Sequence, residues 1–265
     1  MDLFGPVELT AGLLALVLVA GFAAGWIDAV VGGGGLLQLP VVLLIPGLTP
    51  VQALATNKMG SVFGTATSAA TYARRLKPDL RTALPMAGVA LVCSLLGAVV
   101  ATVLPKEVIR PVILVALVVV AVVTAVRPTL GLSQGLRFQG AAHLLRALAV
   151  GAAVGFYDGV LGPGTGTFLV LGLVAVLGYD FLFASAKAKI VNLATNLGAL
   201  AFFLPAGHVV LGLGLVLGVA NLTGGYVGAR MAISKGTGFI RVVFLVVVAG
   251  LIVKVGWDTL AHLVG

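Results

Sequence analysis

The chain is expected to be an all-α polytopic membrane protein made of two inverted repeats. Each repeat would be a glycine-broken helical hairpin plus three transmembrane helices, giving about eight full spans and two short half-helices. Three observations predict this: composition, an internal echo, and the placement of charge. Of 265 residues, 60% are hydrophobic and 9% charged, and the mean hydropathy is +1.21. An ordinary soluble domain carries about 25% charged residues. The echo is direct: Gly21-Phe-Ala-Ala-Gly25-Trp-Ile-Asp28-Ala-Val-Val-Gly32-Gly-Gly34 returns as Gly151-Ala-Ala-Val-Gly155-Phe-Tyr-Asp158-Gly-Val-Leu-Gly162-Pro-Gly164. The offset holds further on, where Lys58 answers to Lys189, Gly97 to Gly228 and Arg110 to Arg241. Many secondary transporters are built from such duplicated units, with the site between them.

Hydrophobic runs place the first repeat's segments at 9–31, 36–46, 51–73, 82–104 and 108–126. Those of the second fall at 140–161, 166–178, 182–204, 208–232 and 237–262. The repeats occupy residues 1–130 and 131–265. Pro50, Pro78, Pro105, Pro128 and Pro205 lie in the joints, as expected of a residue that cannot continue a helix. The second segment of each repeat is short. Some 11 helical residues rise about 16 Å, roughly half the hydrocarbon core. The breaks before them, Gly32 to Gly35 and Gly162 to Gly166, would open backbone to lipid unless protein or a water-filled cavity surrounds them. Hairpins with their tips inside the protein follow, whether they span or re-enter.

Charge then orients the chain. With the loop of Arg74, Arg75, Lys77 and Arg81 cytoplasmic, twelve of the sixteen basic residues fall inside, leaving Lys58, Lys106, Arg110 and Lys254 on the other side. Both termini then face outward. An inverted repeat predicts the contrast between that basic loop and its counterpart Pro205-Ala-Gly-His208, which has no Lys or Arg. The net charge of +8 is spread thinly with no basic, aromatic-interleaved face, so nucleic acid is not an expected partner. The lone Cys93 excludes an internal disulfide and a cysteine-based metal site. Met1 to Thr10 holds Asp2 and Glu8 but no Lys or Arg, so the first apolar run reads as a retained span rather than a cleaved signal. No metal and no cofactor are expected. The three histidines lack a second ligand or base at workable spacing, and no hydrolase, zinc-protease or P-loop pattern occurs. The chain is not expected to be an enzyme.

Lys58 and Lys189 lead the candidates for substrate binding, because intramembrane charges are functional by default. Their alternative is to snorkel to the two interfaces. Asp28 and Asp158, four residues before the breaks, are proton carriers or counter-charges to the lysines. Alternatively they accept N–H groups freed by the broken helices. Half-helices starting after Gly33-Gly34 and Gly164-Thr165 would point free N–H groups at an anion; the same glycines also permit tight helix packing. Thr56, Asn57, Ser61 and Thr65 then face Asn192, Thr195 and Asn196, so each helix presents Lys, +3 and +7 on one face. Hydroxyls, amides and ammonium groups with few carboxylates suit an oxyanion.

The pattern G-x-x-x-G-x-x-D-x-x-x-G-x-G-G with Pro40 and Ala-Thr-Asn-Lys58, answered by Ala-Lys-Ala-Lys189-Ile-Val-Asn192-Leu-Ala-Thr-Asn196, resembles the sulfite exporter TauE/SafE family over nearly the whole chain. The resemblance implies an inner-membrane secondary transporter of small sulfur-containing oxyanions or organosulfonates, such as sulfite or sulfoacetate. Export by alternating access fits the family, and so does proton coupling. The alternative is a carrier or channel for another small anion, carboxylate or inorganic. Oligomeric state is open. The breaks differ: Thr165 and Thr167 have no hydroxyl counterparts at Gly35 and Leu37, and Gln38 answers to Phe168. The two half-sites are therefore not chemically equivalent.

Overall fold

A computed structural model describes residues 10–103 and 131–264, together with Phe4 and Val7. The segment expected at 108–126, with Lys106 and Arg110, lies outside the described residues. Those described form helices joined by short loops, with no strand among them. Helix α1 (Ala11–Val31) starts where Thr10 Oγ1 accepts the Leu13 N–H at 3.2 Å. It stops at Gly32, whose φ of 88° a side chain rarely tolerates. The short α2 (Gly35–Leu43) follows. α3 (Pro50–Leu76) opens on a Thr49/Gln52 capping box with proline in its first turn.

Asp79 caps α4 (Leu80–Ala101), taking the Thr82 hydroxyl at 2.6 Å and the Arg81 N–H at 3.0 Å. The Thr82 bond, then the Arg81 N–H and nearby Lys187, hold this carboxyl below the usual range against a smaller opposing effect of burial, so the cap is ionised at neutral pH. The second half gives α5 (Gly140–Val160), α6 (Thr165–Gly172) running into one π-helical turn at Leu173–Leu177, and the Asp180-capped α7 (Phe181–Phe203).

The segments expected at 208–232 and 237–262 form two helices that meet at a kink at Gly236 (φ 73°, ψ −168°) and are labelled together as α8 (Leu211–Val264). The expected joint is therefore a bend within the polar Ser234-Lys235-Gly236-Thr237 stretch rather than a loop. Among the described residues four helices are long and apolar enough to cross a membrane: Ala11–Val31, Leu80–Ala101, Gly140–Val160 and Leu211–Val247. α3 and α7 match them in length but carry buried lysines, asparagines and threonines.

The close helix pairs are reciprocal. α1 packs along the first part of α8, and α4 along α5; α3 packs on α8, and α4 on α7. Glycines set the contacts. Gly25 lies against Asn221 as Gly155 lies against Ala90, and Gly228 against Trp26 as Gly97 against Phe156. Exchanging the halves maps each contact onto the other, so every long helix finds its main partner in the opposite half. Outward faces stay apolar, with Val19, Leu145, Val219 and Val246 each more than half exposed, as lipid contact requires. The interior collects Val30, Val31, Leu169, Leu173, Phe181 and Phe244 beneath the two breaks.

Candidate functional site

The two glycine breaks touch. Gly32 lies directly on the Gly166 backbone, where a β-carbon on either would overlap the backbone of the other break. The Thr167 N–H donates to the Gly32 carbonyl at 3.2 Å, and its hydroxyl to the Val31 carbonyl at 3.3 Å. On the far side Gly35 faces Pro163 and Gly164 faces Leu36. Two tyrosines clamp the flanking carbonyls: Tyr72 donates to Ala29 at 3.1 Å and Tyr157 to Pro163 at 2.6 Å. Most first-turn N–H groups, those of Leu36, Leu37, Gln38, Thr165, Thr167 and Phe168, already bond to backbone carbonyls. Among the described residues, the N–H groups of Gly33, Gly34, Gly35, Gly164 and Gly166 make no such bond.

Beside this junction sit two ion pairs, and both cross between the halves. Lys58 Nζ lies 2.5 Å from Asp158 Oδ1. Lys189 Nζ lies 3.2 Å from Asp28 Oδ2 and also donates to the Asp28 carbonyl. Each lysine stands eight residues into its helix, a rise of about 12 Å, and both are buried, at 2% and 0% exposure. They do not snorkel outward. An unpaired ammonium at such a position would lose several kcal/mol of solvation, which a close carboxylate offsets. Each aspartate thus lies against a lysine of the opposite half, and among the described residues neither carboxylate takes an N–H from the breaks.

The pairs are not equivalent. Asp158 also has the Thr165 hydroxyl at 2.5 Å from Oδ1 and the Ser94 hydroxyl at 3.4 Å from Oδ2. Among the described residues Asp28 has Lys189 as its one side-chain partner, and its side chain is 13% exposed against 1% for Asp158. The non-equivalence of the breaks therefore reaches the ion pairs through Thr165.

The polar stripe divides. Thr56 takes the Val210 N–H at 3.0 Å, fixing the start of α8. Thr65 donates back to the Ser61 carbonyl at 2.8 Å, and Asn196 to the Asn192 carbonyl at 2.9 Å. Thr195 likewise bonds the Asn192 carbonyl at 3.0 Å. Ser61 is half-buried and Asn192 buried. Asn57 differs from these. It is buried beside Gly35, and its Oδ1 has no hydrogen-bond partner. Sequence reasoning missed Ser94 and Asn221, which donates to Gln38 Oε1. Gln38 was noted only as a mismatch. Asn221 carried a usable signal, a lone amide in an apolar span; Ser94 carried none.

Residues 17–255 match the family model described as sulfite exporter TauE/SafE. A Sinorhizobium protein described as "Probable membrane transporter protein ORF9" is 37% identical over 93% of this chain and 94% of its own length. The Escherichia coli K12 "Probable membrane transporter protein YfcA" is 32% identical over 93% and 91%. A Haemophilus influenzae "Probable membrane transporter protein" is 32% identical over 93% and 95%. No solved structure matches the chain.

Proposed function

The chain belongs to the sulfite exporter TauE/SafE family of membrane transporters, and we propose that it is a secondary transporter, working as an exporter, of small sulfur-containing oxyanions or organosulfonates. The observation that carries this reading is the pair of crossed, buried Lys–Asp contacts beside the touching breaks. A mobile ammonium is the natural ligand for a small oxyanion. Lys58 and Lys189 would hold one only when their carboxylates let go. Protonating an aspartate does that: the neutral acid no longer holds the ammonium, and an anion takes its place. Deprotonation then lets the carboxylate displace the anion. Asn57 and the free N–H groups of Gly33, Gly34 and Gly164 would complete the cradle, with Thr165, Ser61, Thr65, Asn192 and Asn196 beside it and Thr56 bracing the helix.

Because each ion pair joins one half to the other, opening between the halves must break or exchange it. Alternating access would rock residues 1–130 against 131–265 as inverted repeats in the inner membrane, with both termini outside. A carrier or channel for another small anion uses the same donors, and a ligand panel separates them. Apparent melting temperature in detergent would be measured with sulfite, thiosulfate, sulfoacetate, taurine, sulfate, acetate and chloride at matched ionic strength. A ligand at 100 times its Kd stabilises the folded state by about 2.7 kcal/mol. Sulfite or one sulfonate is expected to shift the transition while acetate and chloride do not, with the shift lost in Lys58→Gln. A shift with acetate alone would reassign the substrate class.

A further inference from the structure

Away from the ion pairs, a cavity of about 390 Å³ opens between the last third of α3 and the middle of α8, lined by Thr67, Thr71, Arg74, Arg75, Tyr226 and Arg230. Three guanidinium groups from distant parts of the chain converge on it. None has a carboxylate partner among the described residues, where the ion pairs engage only Lys58, Lys187 and Lys189. Arg230 is turned onto Tyr226, donating to its hydroxyl at 3.0 Å with the guanidinium 5.3 Å from the ring centre. Arg74 and Arg75 lie in the last turn of α3, where the helix dipole favours positive charge. Arg74 stands about 36 Å along the helix from Pro50, so a span of that length would outreach the roughly 30 Å of hydrocarbon and carry these arginines to headgroup depth.

The rim supplies the second half of the argument. On α8, Tyr226 of the lining is exposed, and so are Leu222 one helical turn before it and Val227 next to it in sequence, an apolar stretch suited to acyl chains. We propose that this cavity binds the phosphodiester headgroup of an anionic phospholipid, with its chains lying along α8. Arginine forks match phosphate oxygens, the Thr67 and Thr71 hydroxyls add donors, and basic pockets between membrane helices suit such headgroups. A free phosphate would gain nothing from the apolar flank.

The full chain in detergent would be titrated with phosphatidylglycerol, cardiolipin, phosphatidylcholine and inorganic phosphate at matched ionic strength, reading apparent melting temperature and lipid retained in native mass spectrometry. A rise of several degrees and one or more retained lipids are expected with the anionic lipids alone. Both should disappear in R74Q/R75Q/R230Q and persist in Arg81→Gln, whose side chain lies outside the cavity. An equal response to phosphatidylcholine, or to inorganic phosphate, would overturn the proposal. So would wild-type lipid retention in the triple variant or, if that does not fold, in Arg230→Gln.

Discussion

Lys58 and Asp158 illustrate how a buried pair behaves when one partner is lost. With Lys58→Gln the carboxylate keeps Thr165 and Ser94 but loses the one cation paired with it among the described residues, a loss of about 3–5 kcal/mol for a buried charge. Asp158→Asn strands the ammonium in the same way. The double variant K58Q/D158N removes both charges, so it is expected to regain most of the thermal stability while losing anion binding. A double variant destabilised by the sum of the two single losses, read by melting temperature, would show that the pair is not coupled. The lysines could be read from the sequence because they recur at matched positions. Their partners could not. An offset equates Asp28 with Asp158 but does not say whether a lysine reaches the aspartate of its own half or the other. That is settled by which helices interlock, and packing among near-identical apolar faces leaves little trace in sequence. Asn57 was named as a ligand candidate, but its missing hydrogen bond needed coordinates.

At the level of the helix, glycine explains most of the breaks, and two of them should respond differently to alanine. Gly32 has φ of 88° and no room: its β-carbon would enter the backbone of Gly166 and Thr167. Gly236 has φ of 73° but open space around it. Gly236→Ala should therefore cost only backbone strain, about 1–3 kcal/mol, with a modest drop in melting temperature. Gly32→Ala must also separate the two breaks, and is expected to abolish folded yield or anion binding. Similar, small effects at both positions would mean that the contact between the breaks is dispensable. Joints near Pro50 and Pro78 are legible because proline acts locally, whereas the caps at Thr49, Asp79 and Asp180 emerge from the structure. The π-helical turn at Leu173–Leu177 was not legible either, since nothing in Leu-Val-Ala-Val-Leu distinguishes it from α-helix. The joint before 237 was placed correctly, but it proves to be a bend at Gly236 rather than a loop.

For the whole molecule, reciprocity makes coupling a question of charge balance. Each half contributes one lysine and one aspartate, and each pair is neutral when closed. Exchanging a carboxylate for an incoming monoanion requires a proton on that carboxylate, otherwise a net negative charge would stay buried. On the proposed reading, anion and proton would travel together and the cycle would move no net charge. Asp28 is the better placed of the two for this exchange. It is partly exposed and held by one side chain, while Asp158 is tied by Lys58, Thr165 and Ser94. In proteoliposomes, a pH gradient is expected to drive substrate flux, and an imposed membrane potential to leave it nearly unchanged. Asp28→Asn should remove the pH dependence but also lower the melting temperature, because the buried Lys189 ammonium keeps the residue-28 carbonyl and loses its carboxylate. Asp158→Asn should lower it further, since Thr165 and Ser94 are tied to that carboxylate as well. Flux that follows the potential and ignores the pH gradient would mean that both ion pairs remain closed through the cycle. The lysines would then be braces between the halves, and the anion would pass elsewhere.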